Sequence, residues 1–174
     1  MSYEILDRKR RAILPNFKSF KNDFYLAGGT AFAGHDLKKT QEEKNTLSVL
    51  IDKDIRCSFF TYPYPLLKKP TDEENLKIAS MEDIACMKLS AITGRASNKD
   101  YIDLYFILKT LPLRKIFAFA EKKLPDLDLN LLMKSLVYFE DIQDQPILYK
   151  KGHKVSFKKI KESLKSAVKK AQNL

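Results

Sequence analysis

The pattern of apolar and polar positions changes rhythm near residue 80. Before it, short apolar runs alternate with polar breaks. Asp23-Phe-Tyr-Leu-Ala27 reads as a short buried strand that ends at Gly28-Gly29, and Thr30 to His35 as the opening of a helix. The charged stretch Asp36 to Asn45 is expected as helix or loop. Thr46 to Ile51 and Ile55 to Tyr62 are rich in β-branched and aromatic residues, so they predict two strands joined in a hairpin through Asp52-Lys53-Asp54. Pro63, Pro65 and Pro70 then make Tyr62 to Pro70 an extended connector. At the start, Tyr3 to Leu14 suits a short helix closed by Pro15.

After residue 80 the pattern is helical. Ser80-Met-Glu-Asp83 resembles a capping box opening a helix that ends near Gly94. Ser97-Asn-Lys-Asp100 resembles another, opening a helix to about Leu111, before Pro112. Further helices are expected around Leu113 to Lys123 and Asn130 to Tyr138, with an amphipathic one from Phe157 to Ala171. A few strands followed by many helices make an α+β fold. We read residues 1–174 as a single domain, with the sheet in about 1–79 and a C-terminal helical region in about 80–174.

Composition narrows the setting. With 44% hydrophobic and 31% charged residues the chain suits a globular domain. No apolar run reaches membrane-spanning length, and MSYEILDRKRR has charge where a signal peptide needs apolar residues. Cys57 and Cys86 are too few for a disulfide framework and have apolar neighbours, as expected of buried thiols in a reducing, cytoplasmic setting. The net charge of +10 favours a polyanionic partner such as RNA or DNA, or serves only as a lysine-rich solubility device.

Lys88 is the most informative position. On a wheel of about 100° per residue, Met81, Ile84, Ala85, Met87, Ala91 and Ile92 share one arc with Lys88 near its middle. Glu82, Asp83, Cys86 and Ser90 lie opposite. An inward ammonium needs a carboxylate, a phosphate or a route for its stem to solvent. Asp100 and Asp103 share one face of the next helix and are candidate partners. Asp100 also suits its own helix start, and Asp103 a buried ion pair with Lys88 or Arg95. Arg95, between the two helices, suits phosphate or the open carbonyls of a helix end. Gly28-Gly29-Thr30, between strand and helix, can approach phosphate with its amides or simply make the turn. His35 and His153 have no companions at metal-ligand spacing. The lysine-rich segment from Phe157 suits a membrane surface, an RNA, or a terminal helix with a solvated face.

Together these segments resemble the AbiEii/AbiGii toxin family. The resemblance is carried by Phe24-Tyr-Leu-Ala-Gly-Gly-Thr-Ala31, by Ser58-Phe-Phe-Thr-Tyr-Pro-Tyr-Pro-Leu-Leu67 and by Ile78-Ala-Ser-Met-Glu-Asp-Ile-Ala-Cys-Met-Lys-Leu-Ser-Ala91. Gly94-Arg-Ala-Ser-Asn-Lys-Asp-Tyr-Ile-Asp-Leu-Tyr105 and Ser135-Leu-Val-Tyr-Phe-Glu-Asp141 follow in the same order. The resemblance implies a DNA polymerase β-like nucleotidyltransferase of abortive-infection or toxin–antitoxin systems, with a small mixed sheet, acting with Mg²⁺ on a nucleoside triphosphate. The acceptor it implies is tRNA, another RNA or a protein, and a cognate antitoxin is the implied partner; no membrane is involved. By the same analogy Gly28, Gly29 and Thr30 cradle phosphate, Lys88 contacts the triphosphate, and Asp100 with Asp103 forms the later acidic motif. The departure lies after the glycine motif, where the family carries a strand with an Asp-x-Asp-like pair that holds the metals. Here Thr30-Ala-Phe-Ala-Gly-His-Asp-Leu-Lys-Lys39 runs on with no such strand expected, and Asp36 is followed two positions later by Lys38. Asp52 and Asp54 have the spacing but are expected in a turn. The chain has lost the metal-binding segment, and with it the chemistry, or the natural protein carries further residues near Ala33 to Asp36.

Overall fold

A computed structural model describes residues 8–13, 15, 36–73, 76–147, 149 and 152–172. The expected strand Asp23–Ala27, the Gly28-Gly29-Thr30 turn and the helix after it lie outside the described residues. The chain forms two compact units. One takes the residues before Pro65 together with Lys69–Ser80, and the other takes Pro65–Lys68 together with the residues from Met81 onward.

The first unit contains α1 (Arg8–Ile13) and an antiparallel sheet of β1 (Leu37–Glu43), β2 (Thr46–Ile51) and β3 (Ile55–Phe60), in that order. Alternation aims Val49 and Ile51 of β2, and Ile55 and Cys57 of β3, to one side, where they pack with Ile13 and Leu76. The β2–β3 hairpin is as expected. Its turn holds Asp52 and Lys53 at φ 50° and 60°, a left-handed conformation that aspartate tolerates better than most residues. The charged stretch expected as helix or loop is instead β1. Its described side chains from Lys38 to Glu43 are all exposed, so no apolar period marks it. It is a strand because Lys44-Asn45 turns it back onto β2, whose backbone groups it satisfies from Leu37↔Ile51 to Glu43↔Thr46. A register shift between Lys39 and Gln41 lets the Thr40 hydroxyl donate to the Ser48 carbonyl at 3.2 Å. After the proline-rich connector comes a short antiparallel pair, β4 (Thr71–Glu73) with β5 (Leu76–Ile78), which the sequence pattern did not announce.

The second unit holds α2 (Met81–Arg95), α3 (Asn98–Ile107), α4 (Leu113–Lys123), α5 (Leu129–Val137) and α6 (Phe157–Gln172), close to the expected spans. The α+β class stands as read, and among the described residues both sheets are antiparallel. Asp128 caps α5 through its carboxylate, which accepts from the amides of Asn130 and Leu131 at 2.8 and 3.2 Å. Ile160, Leu164 and Val168 make the buried stripe of α6. The polar arc drawn for α2 is corrected. Asp83 and Cys86 are fully buried, because α3, α4 and α5 all pack on this helix and Leu67-Lys68 binds across its first turn.

Candidate functional site

The turn between α2 and α3 sets the site. Ser97 is the N-cap of α3, as its position predicts, but its side chain makes no capping bond and its hydroxyl is buried without a partner among the described residues. Asp100 does not reach back in a capping box. Its carboxylate turns toward α2 instead, where it is completely buried. Ala96 takes φ 45° to make the turn, which is stitched to a later segment. The Gln143 amide donates to the Ala96 carbonyl at 3.0 Å, the Asn98 amide to the Gln143 carbonyl at 3.1 Å, and the Asn98 side-chain amide to the Gln145 carbonyl at 3.0 Å. These bonds fix the backbone on either side of Arg95 and Asp100.

Lys88 reaches the two acids from α2. Its Nζ lies 3.1 Å from Asp100 Oδ1 and 2.5 Å from Asp103 Oδ2. Arg95 grips the same Asp100 in a fork, with Nε 2.9 Å from Oδ2 and Nη2 3.1 Å from Oδ1. Lys88, Asp100, Asp103 and Arg95 thus form one cluster, as the helical pattern suggested. The inward face offered by Lys88 and the i, i+3 pair of acids made it legible. Exposure grades outward: Asp100 0%, Lys88 19%, Asp103 49% and Arg95 62% of the side chain. Asp103 therefore pairs with Lys88 at the rim of a largely buried helix, not as the buried ion pair expected. Gly28, Gly29 and Thr30 lie outside the described residues.

The electrostatics follow from this grading. Burial pulls the Lys88 amine down, but the charges and hydrogen bonds of Asp103 and Asp100 together outweigh it and leave the pKa above the usual lysine value. Arg95 is likewise raised, first by its bond to Asp100. Next to the cluster, burial and the Asp100 charge push the Tyr101 phenol up to about 12 while its hydroxyl donates to the Ser135 carbonyl at 2.9 Å. Two cations and two carboxylates balance. Asp100 is saturated by three charged contacts, so it acts as an anchor. Asp103, half in solvent, is the partner that an incoming anion can replace at Lys88 while Asp100 keeps the amine in place. The exposed guanidinium of Arg95 stands beside that opening.

A second lysine escaped the sequence reading. Lys123 of α4 is fully buried, with Nζ 2.7 Å from Asp83 Oδ1 and 2.5 Å from the Pro65 carbonyl. Asp83 also accepts from the amides of Leu67 and Lys68 at 2.9 and 3.3 Å. The signal was present: Leu113, Ile116, Ala120 and Lys123 share one buried stripe of α4. Between these helices Cys86 is buried too, and desolvation raises its thiol to about 11, which makes it inert.

The Mg²⁺ implied by the resemblance needs converging carboxylate oxygens. Among the described residues no group of three or more histidine, cysteine, aspartate or glutamate side chains comes together for a metal. Asp52 Oδ1 accepts from the Asp36 amide at 3.0 Å and Asp54 Oδ2 pairs with Lys9 at 2.7 Å, so the Asp-x-Asp spacing serves the hairpin turn. Asp100 is committed to Lys88 and Arg95. The strand β1 that follows the glycine motif has Asp36 before it and Lys38 within it, and its acids, Glu42 and Glu43, are adjacent instead of alternating. The described residues do not fit the metal.

The chain is 36% identical to an uncharacterized protein of Aquifex aeolicus, aq_aa25, over 160 positions that take in 71% of this chain and 77% of the relative. Since 71% of 174 residues is about 124, about 36 of those positions have no counterpart in this chain. No family model matches the chain, and no solved structure matches it.

Proposed function

The chain belongs to one family with the Aquifex aeolicus protein, and from that premise we propose that the family is a nucleotidyltransferase family of the AbiEii/AbiGii toxin kind, in which Lys88 contacts the triphosphate. One observation carries this reading. The inward lysine of α2 meets both acids of α3, with a replaceable partner at the rim and a saturated one beneath. A merely structural ion pair has no need of the half-exposed Asp103 and the exposed Arg95 around the amine. In this reading Lys88 and Arg95 bind and orient the phosphates, and Asp100 holds both cations in position. The nucleotidyl group then passes from the triphosphate to an RNA, tRNA among them, or to a protein acceptor. A cognate antitoxin restrains the activity, and the setting is the cytoplasm. Mg²⁺, where a family member holds it, supplies charge neutralisation at the phosphates.

A second reading is favoured for this chain by the relative's unmatched positions. We place the carboxylate-bearing strand of the family among them. This chain is then a non-catalytic remnant that binds nucleotide through the same cluster. One experiment separates the two. This chain, its Lys88→Ala and Lys88→Arg variants and the Aquifex relative are given labelled nucleoside triphosphates, Mg²⁺ and total RNA, and both transfer and nucleotide binding are read. Transfer by this chain that disappears in Lys88→Ala establishes the enzyme. Binding lost in Lys88→Ala and kept in Lys88→Arg, with transfer only by the relative, establishes the remnant. Neither binding nor transfer by any of the proteins defeats both readings.

A further inference from the structure

We propose that α6 and the groove it forms with α5 are a docking surface for the phosphate backbone of RNA. The inference deepens the reading above, on whose RNA acceptor it rests, but its residues lie outside the Lys88 cluster. The helix turns Lys158, Lys161, Lys165 and Lys169 to one flank of its buried stripe. At about 1.5 Å per residue this row runs roughly 16 Å, several nucleotide steps of about 3.4 Å along one strand of a duplex. Lys158, Lys165 and Lys169 are exposed, and α6 has one acid, Glu162, against its six lysines.

Several lysines elsewhere are held by the protein's own carboxylates. Lys9, Lys39, Lys68, Lys88 and Lys123 are all in ion pairs, but among the described residues none of the α6 lysines is. Aromatic rings hold two of them instead. The Lys161 amine lies 5.1 Å from the Phe139 ring centre and 5.6 Å from that of Phe157, and Lys165 lies 5.9 Å from Phe139. A ring face orients an ammonium without neutralising it, so the positive field of the row persists. The adjoining groove, about 290 Å³, is lined by the apolar Met133, Val137 and Val168 together with Lys134, Lys165 and Lys169. A polyanion that also offers flat apolar faces fits this mixed lining. An anionic lipid headgroup shares the phosphate chemistry, and vesicles therefore form one arm of the test.

The test measures binding of the full chain to a labelled RNA hairpin, without nucleoside triphosphate, over a series of salt concentrations. Lys158, Lys165 and Lys169 are replaced together by Gln. Arg114, Lys115 and Lys122, exposed on α4, are replaced in a charge-matched control. Each phosphate contact adds just under one to the salt slope, so the α6 variant should lose about two to three of it and bind at least tenfold more weakly. The control should bind RNA like the wild type. Equal losses in the α6 and α4 variants, no RNA binding by the wild type, or tighter binding to phosphatidylserine vesicles than to the hairpin would each overturn the proposal. Because no triphosphate is present, a failure of nucleotidyl transfer leaves this result untouched.

Discussion

At the scale of single residues, the cluster around Lys88 has unequal members. Removing one partner from a buried pair strands the other's charge, and the cost grows with burial. Asp100→Asn leaves Lys88 and Arg95 both short of their shared anion and should cost about 3 kcal/mol. Lys88→Met leaves Asp100 its fork to Arg95, so about 1–2 kcal/mol is expected. Asp103→Asn, at a half-exposed and screened position, should cost under about 1 kcal/mol. Urea unfolding at neutral pH measures the order, and Asp103→Asn as the worst of the three would contradict the grading. The pH dependence has a definite sign. The folded Lys88 pKa lies above its ordinary 10.5, so its stabilisation is complete below that value and is lost as pH rises through the higher folded one. Lys88→Met should flatten its share of the alkaline decline. The remaining decline includes that of Cys86, whose thiol is raised to about 11, and of Tyr101, whose phenol stays neutral in the fold to about 12.

Between elements, the connection that matters for the helical unit is the one made by Asp83, Lys123 and the 65–68 segment. The carboxylate binds one ammonium and two backbone amides, and the ammonium also binds a backbone carbonyl. Lys123→Met should cost about 3–5 kcal/mol by taking the ammonium from a buried carboxylate. Asp83→Ala should cost still more, because it also strands the amides of Leu67 and Lys68. The double variant should then be clearly less harmful than the sum of the two singles, and strict additivity in thermal or urea melts would show the pair is not coupled. None of this was legible from α2 alone. A wheel assumes one wet face, and α2 has neighbours on several sides. Lys123 was missed although its signal was present, since it continues the stripe of Leu113, Ile116 and Ala120 as Lys88 continues its own arc. The helix spans were readable because prolines, cap positions and 3.6-residue periods all agree there. β1 was not, because a strand whose described side chains are all exposed shows no apolar alternation. The three-residue strands β4 and β5 are too short to show any period.

For the whole molecule, the division of the chain makes a prediction that the change of pattern near residue 80 does not. The two units interleave in sequence, because Pro65–Lys68 belongs with the helices although β4 and β5 follow it. Chemistry explains that assignment. The Pro65 carbonyl and the Leu67 and Lys68 amides complete a buried ionic centre whose charged members, Asp83 and Lys123, both lie in the helices. A fragment cut at Met81 retains both charges and loses three of their partners. A fragment starting at Pro65 keeps these three. The 65–174 fragment should therefore fold cooperatively on its own, with the helix content of its five helices. The 81–174 fragment should be less stable by about 2–4 kcal/mol, the loss expected when buried charged groups lose backbone hydrogen bonds. Circular dichroism melts of the two fragments measure the difference. Lys123→Met should narrow the gap, since without the ammonium the Pro65 carbonyl has no ionic partner to lose. Equal stability of the two fragments would mean that Pro65–Lys68 adds nothing to the helical unit, and that the buried pair is satisfied without the connector.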